Sequence, residues 1–192
     1  MNPLTLKLRR RRYTIQQCFM APIHRALGKQ IVHFIHPAKT GGTSVKIALM
    51  SFGCKTPTHY FCLHGHEFRL KNVPSGDIGL ITVREESDRL RSVIAARKWK
   101  ARNYGLIRKL WIGMTLSEEM TLELNHTDAV HPQAWYRDDA PEKNRTVIMN
   151  TETLTEDFER IKEITNIPAW VKCGHANKSP ADKLPGSKEE RV

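Results

Sequence analysis

The sequence predicts an α/β domain with a mainly parallel central sheet flanked by helices, and three observations support this fold class. Residues 31–36 form a run that is mostly β-branched or aromatic, and residues 78–83 form a second continuous apolar run. Strands of this kind are buried on both faces, as in parallel sheets covered by helices. Helical patterns follow both runs, and a length of 192 residues suits one such domain.

The elements follow one another along the chain in strand and helix alternation. The pattern predicts strands at residues 31–36, 58–63, 78–83 and 145–149. It predicts helices from Val45 to the stop at Gly53, from a cap at Ser87 and Asp88, and over residues 153–164. Residues 100–130 contain enough apolar positions for one or two further helices, whose topology does not follow from the sequence.

Charge divides the chain into three parts. Residues 1–30 hold seven cations and no acid, so they carry +7 of the net +11 and leave +4 for the rest. We therefore expect a basic N-terminal arm (1–30), an α/β domain (31–179) and a mobile Pro-, Lys- and Glu-rich tail (180–192). The arm predicts non-selective contact with anionic surfaces rather than a specific nucleic acid.

Composition also bears on the compartment. No apolar run approaches the ~20 residues that cross a bilayer, and no signal-peptide core follows the basic start. The four cysteines show no Cys-x-x-Cys spacing, which argues against a disulfide framework or zinc ribbon. These features predict a soluble, cytoplasmic protein.

The segment between the first strand and its helix has the composition of an anion cradle. Gly41 and Gly42 allow backbone angles that turn several N–H groups inward, and a following helix adds its N-terminal donors. Lys39 supplies a charge on the strand side of the glycines, unlike the lysine of a Walker loop. Hydroxyl groups come from three further positions: Thr40, Thr43 and Ser44. The alternative is an ordinary Gly-Gly turn with an incidental lysine.

The order Lys-Thr-Gly-Gly-Thr-Ser after a strand ending in histidine resembles the 5′-phosphosulfate loop of sulfotransferases that use 3′-phosphoadenosine 5′-phosphosulfate (PAPS). The likeness is greatest to Golgi and bacterial carbohydrate enzymes of the 2-O-sulfotransferase type, although Pro37 stands one place early. The resemblance implies a three-layer, P-loop NTPase-like domain. It implies that the cofactor contacts Lys39, Thr40, Gly41, Gly42, Thr43 and Ser44.

A second set, Arg84, Arg89 and Ser92, follows the strand at residues 78–83. Side chains at the carboxyl end of a parallel strand face the crevice where α/β sheets bind ligands. The Arg-x4-Arg-x2-Ser spacing resembles the 3′-phosphate motif of the same family, with Glu85-Glu86 in place of Asp-Pro. The resemblance implies that Arg84 and Ser92 bind the 3′-phosphate while Arg89 makes a supporting ion pair. The alternative is a salt-bridged strand end.

The run Leu63-His64-Gly65-His66 is the third set. In an extended segment both imidazoles would share one face, with Cys62 behind them. The run is therefore a metal site, a general base, or a pair of surface histidines in a glycine loop. A similar run supplies the base in uronyl and heparan sulfate 2-O-sulfotransferases. That likeness implies His66 as the base and His64 as its partner or substitute.

We therefore expect transfer of a sulfuryl group from PAPS to a hydroxyl acceptor, possibly a glycan, with catalytic Lys39, His66 and His64 and without a metal. A nucleotide kinase and a degenerate, non-catalytic relative that binds nucleotide or polyanion are the alternatives.

Overall fold

The computed structural model describes residues 19–104, 133–137 and 145–174. Within these ranges the strands form one sheet in which every neighbouring pair is parallel, with the spatial order β2-β1-β3-β4. The strands are β1 (Gln30–Ile35), β2 (His59–Leu63), β3 (Ile78–Val83) and β4 (Arg145–Asn150). The expected α/β class with a parallel sheet flanked by helices is confirmed.

Helices alternate with these strands. Residues 19–26 are helical (α1), and the later helices are α2 (Gly42–Ser51), α3 (Glu86–Tyr104), α4 (Gln133–Arg137) and α5 (Leu154–Thr165), with a 3-10 turn at Leu70–Asn72. The strand predicted at residues 78–83 has the predicted bounds, and the predicted helix over 153–164 differs by one residue at each end. Of the segment 100–130, residues 100–104 belong to α3, while residues 105–130 and the predicted 180–192 tail lie outside the described residues.

Two predicted helix starts were wrong. α2 begins at Gly42 rather than Val45, because Gly41 takes a left-handed backbone with φ of 75° and ends the loop there. α3 begins at Glu86 rather than after a Ser87–Asp88 cap. Glu85 acts as the cap: its backbone oxygen accepts from the Arg89 N–H at 2.9 Å, and its carboxylate accepts from the Asp88 N–H at 2.9 Å.

The two faces of the sheet bury different clusters of side chains. On the first face Val32 pairs with Phe61 and Ile78, and helices α2 and α5 cover it with Val45, Leu49, Leu154 and Phe158. On the second face Ala21 of α1 packs with Ile31, Tyr60 and Cys62. This second face also carries the buried histidines His33 and His64, so we call it the polar face.

The order of the strands places a topological switch point between β1 and β3. The chain leaves β1 towards β2 on one side, whereas it leaves β3 towards β4 on the other. Open α/β sheets bind ligands outside the carboxyl ends of the two strands at such a point. The loop 36–41 follows the carboxyl end of β1, and the segment that begins at Arg84 follows the carboxyl end of β3. No described helix combines the length and apolar character that a membrane-spanning segment needs.

Candidate anion site at the carboxyl edge of the sheet

The loop that joins β1 to α2 turns back tightly on the last residue before it. Lys39 has φ of 70° and Gly41 has φ of 75°, so both lie in the left-handed region. A methyl group at Gly42 would stand 2.3 Å from Cδ2 of His36, which means that only glycine fits against this imidazole. Glycine is therefore needed at both positions of the predicted turn. At Gly42 a side chain would clash with His36, and at Gly41 the backbone is left-handed.

A hydroxyl pair connects this loop to β3. The buried Thr40 side chain donates to the Pro37 carbonyl at 2.8 Å, and its Oγ1 lies 2.8 Å from Oγ1 of Thr82. Because a hydroxyl has one hydrogen, Thr40 donates to Pro37 and accepts from Thr82. Thr40 was predicted as a side-chain donor to the cofactor, but its hydroxyl hydrogen is already used within the fold, and its backbone N–H remains the group for an anion.

The remaining cradle residues lie where the loop enters α2. Ser44 is buried, and its N–H donates to the Gly41 carbonyl at 2.9 Å, which closes the first turn. Lys39 and Thr43 are half-buried. α2 directs its N-terminal N–H groups and positive dipole end into the same place, the arrangement that favours anions in proteins.

Arg84 follows β3 two residues after Thr82, so it lies at the same sheet edge as the loop. Gln133 binds the Arg84 backbone on both sides: its Oε1 accepts from the Arg84 N–H at 2.8 Å, and its Nε2 donates to the Arg84 carbonyl at 2.5 Å. The buried Nε of Arg84 has no hydrogen-bond partner among the described residues. A buried cationic donor without a partner is costly, which makes this atom a candidate ligand contact.

Arg89 makes the supporting ion pair that the sequence predicted. Its side chain is 1% exposed, and its Nε donates to Glu86 Oε2 at 2.9 Å. Gln133 Nε2 donates to the same oxygen at 2.6 Å. Burial raises the pKa of Glu86, but the hydrogen bonds from Arg89 and Gln133 outweigh it and keep that pKa below its ordinary value. The charge of Glu86, which stands in the Asp-Pro position of the family motif, is thus paired with Arg89. Ser92, one turn further along α3, is also buried.

The two predicted catalytic histidines do not share a face, so that expectation was wrong. β2 ends at Leu63 and the chain turns at residues 66 and 67, which breaks the extended geometry on which the expectation depended. His64 is buried on the polar face with its Nε2 2.8 Å from His33 Nδ1. His66 is exposed, and its Nδ1 lies 2.9 Å from the His36 carbonyl at the start of the loop.

His36 is a residue of this site that the sequence named only as the end of a strand. It is buried between Phe34, with ring centroids 5.6 Å apart, and His66, at 4.5 Å. Burial, then the charges of Lys46 and His66, lower its pKa well below 6.5, so the ring is neutral near pH 7. Its buried Nδ1 has no hydrogen-bond partner among the described residues. Its place before Pro37 and Lys39 was the only available signal.

The alternative of a metal site built on Cys62, His64 and His66 is not supported, because among the described residues no three His, Cys, Asp or Glu side chains form a group able to hold a metal. Asp157 ties β4 to α5, since its carboxylate accepts from the Asn150 N–H at 2.8 Å and from the Thr153 hydroxyl at 2.8 Å.

After the carboxyl ends of two adjacent strands the fold thus brings together a glycine turn, a helix N-terminus, Lys39 and Arg84, whose Nε has no partner in the described part of the chain. Comparison of the chain with protein-family models, with curated proteins and with solved structures gives no significant match.

Proposed function

We propose that this protein is a sulfotransferase that moves a sulfuryl group from PAPS to a hydroxyl acceptor, on a P-loop NTPase-like domain. The observation that carries the proposal is the hydrogen bond between Thr40 and Thr82, at 2.8 Å. It joins the glycine turn to β3 two residues before Arg84. One adenylate with phosphates at both its 5′ and 3′ positions needs two anion sites that lie close together at one edge of the fold.

The two anion sites have different chemistry, which supports different roles. At the first site, Lys39, the N–H groups from Thr40 to Thr43 and the Thr43 hydroxyl lie at or just before the N-terminus of α2, an arrangement suited to the 5′-phosphosulfate. At the second, the guanidinium of Arg84 and the Ser92 hydroxyl would hold the 3′-phosphate. An arginine matches phosphate geometry with several donors, so it suits a fixed terminal phosphate.

The transfer itself requires that charge on the departing oxygen be stabilised. The acceptor oxygen bonds to sulfur while the bond between sulfur and the 5′-phosphate oxygen breaks, and the acceptor proton moves to a base. Lys39 and the loop N–H groups stabilise the negative charge that grows on the phosphate oxygen. His66 takes the proton, because it is exposed at the loop and its Nδ1 contact with the His36 carbonyl leaves Nε2 for the acceptor.

Calorimetric titration separates this proposal from a kinase. We expect the protein to bind 3′-phosphoadenosine 5′-phosphate (PAP) without a metal and to bind ATP with Mg²⁺ more weakly. The substitution Arg84→Ala should weaken PAP binding by about 10- to 100-fold, as expected for hydrogen bonds to a charged group. Arg91→Ala is the control, because Arg91 is an exposed cation of α3 paired with Asp88 at 3.5 Å. Equal binding of PAP to both variants, or a preference for ATP with Mg²⁺, would refute the proposal.

Sulfate transfer to a panel of glycans, lipids and small alcohols tests catalysis. Lys39→Ala should lower turnover by about 100- to 1000-fold, with a smaller loss of PAP binding, because the lysine acts mainly on charge that develops during transfer. His66→Ala should lower the rate and remove a limb of the pH profile near neutrality. Tight PAP binding without transfer to any acceptor would identify a binding protein instead, and an unchanged pH profile in His66→Ala would assign the base elsewhere.

A further inference from the structure

Helix α1 presents an apolar stripe away from the sheet. Phe19 is 77% exposed, Ile23 is 52% exposed and Leu27, in the turn that follows, is 68% exposed. These residues are spaced four apart, so they align along one side, and Met20 lies beside them with 41% exposure. We call these four residues the α1 stripe. A contiguous exposed apolar stripe on a protein surface marks an interaction site.

The opposite side of α1 is fixed to the polar face, which holds the stripe outward. Ala21 is buried against Ile31, Tyr60 and Cys62. The His24 ring stacks on Tyr60 with centroids 3.9 Å apart, and Arg25 Nη2 donates to the buried carboxylate of Asp77 at 2.6 Å. Because three successive inward contacts set its rotation, the helix cannot turn the stripe inward without breaking an ion pair and an aromatic stack.

Charge identifies the kind of surface that the stripe meets. The 18 residues before Phe19 contain Lys7 and the run from Arg9 to Arg12, and they contain no acid. Helices that lie in the interface of an anionic bilayer combine an apolar stripe with a polybasic segment. Burial of the apolar side chains and attraction of the cations to anionic lipid then act together. A nucleic acid or an acidic glycan would bind the basic run but offers no apolar environment for Phe19, Ile23 and Leu27.

We propose that the α1 stripe inserts into the headgroup region of a membrane rich in anionic lipid, with the preceding basic run bound to the lipid charges. The protein would lie on the membrane, since the stripe belongs to a helix whose other side packs on the sheet. Apolar insertion supplies affinity for any bilayer, and the arginines supply the preference for negative charge. This proposal stands independently of the sulfotransferase activity.

Flotation of the full chain with lipid vesicles tests the proposal. Vesicles of phosphatidylcholine are compared with vesicles that also contain phosphatidylserine. We expect the protein to float with the second kind, and the double substitution F19S/I23S to lower the partition coefficient by about tenfold or more. The matched control is I164S/W170S, which also removes one isoleucine and one large aromatic ring, 48% and 63% exposed, from the α5 side of the sheet. It should float like the wild type.

Replacement of Arg9, Arg10, Arg11 and Arg12 by serine should remove the preference for phosphatidylserine. Unchanged thermal melting of F19S/I23S shows that the stripe is not needed for folding. The proposal is overturned if F19S/I23S floats like the wild type, because the basic run then acts alone as it would on any polyanion. It is also overturned if the wild type does not float, or if it is a dimer that F19S/I23S dissociates, because a second copy then covers the stripe.

Discussion

Two pairs of histidines lie side by side in this protein, and their surroundings differ in every respect. His33 and His64 are buried on the polar face and bonded to each other, and His33 Nε2 lies 2.9 Å from Asp77 Oδ2. His36 and His66 meet at the loop 36–41, where His66 is exposed and the buried Nδ1 of His36 has no hydrogen-bond partner among the described residues. The first pair belongs to a buried hydrogen-bonded network with Asp77, whereas the second pair lies beside the candidate anion site.

His33 and His64 show how polar side chains are accommodated when they are buried against a sheet. His33 Nε2 and Arg25 Nη2 both contact Asp77 Oδ2, at 2.9 and 2.6 Å, and His33 Nδ1 lies 2.8 Å from His64 Nε2. Burial of such groups costs free energy unless each is bonded. The comparison therefore distinguishes histidines that bond to each other within the fold from histidines beside the candidate anion site, where His66 is exposed.

The largest expected effect comes from breaking the buried hydrogen bonds that Asp77 makes with His33 and Arg25. Asp77→Ala leaves His33 without its acceptor and removes the partner of Arg25, so it should lower the free energy of unfolding by about 3 kcal/mol. Urea denaturation measures this loss. Asp88→Ala is the matched control, because Asp88 makes only an exposed pair with Arg91 at 3.5 Å and should cost about 0.5 kcal/mol or less. If both variants lose the same free energy of unfolding, the buried hydrogen bonds of Asp77 stabilise the fold no more than an exposed ion pair does.

A smaller loss of stability is expected when the His36 ring is displaced from its position against Gly42. In Gly42→Ala the new methyl group would stand 2.3 Å from the His36 ring, so the ring and the loop must move. We expect a loss of about 1–3 kcal/mol in the free energy of unfolding, together with weaker PAP binding. Gly65→Ala is the control, because nothing lies within 4 Å of a methyl group there. A Gly42→Ala protein with full stability and full affinity would contradict this account of the loop.

The smallest effect is a change in the pH dependence of stability. Because burial, Lys46 and His66 lower the pKa of His36, the unfolded chain takes up a proton below pH 6.5 that the folded chain does not. Stability should therefore fall as the pH drops below 6.5, by at most about 1.4 kcal/mol per pH unit for this group. His36→Phe, which keeps a ring against Phe34, should reduce this acid loss and change stability little at pH 8.

Urea denaturation at a series of pH values measures the slope for both proteins. The lowered pKa values of His24 and His59 leave part of the slope in the variant. An identical slope in wild type and His36→Phe would show that the pKa of His36 is the same in the folded and the unfolded chain. The conclusion that burial lowers this pKa would then be wrong.

Local patterns predicted much of the fold. The continuous apolar run at residues 78–83 predicted the bounds of β3, because a strand buried on both faces has no polar position to blur its ends. The glycine pair predicted the turn before α2, since a left-handed backbone and a close approach both require small residues. The start of α3 was missed because the cap is Glu85, a residue type with weaker capping preference than the serine beside it.

The sequence by itself determined the parallel α/β architecture and the composition of an anion loop, because backbone periodicity and glycine geometry act over a few neighbouring residues. Only the tertiary structure decided which histidines are bonded within the fold and which groups fix the backbone of Arg84, because the partners are distant in sequence. Asp77 is 44 residues from His33, and Gln133 is 49 residues from Arg84. Hydrogen bonds depend on distances of about 3 Å, and such distances exist between remote residues only after the sheet has brought them together.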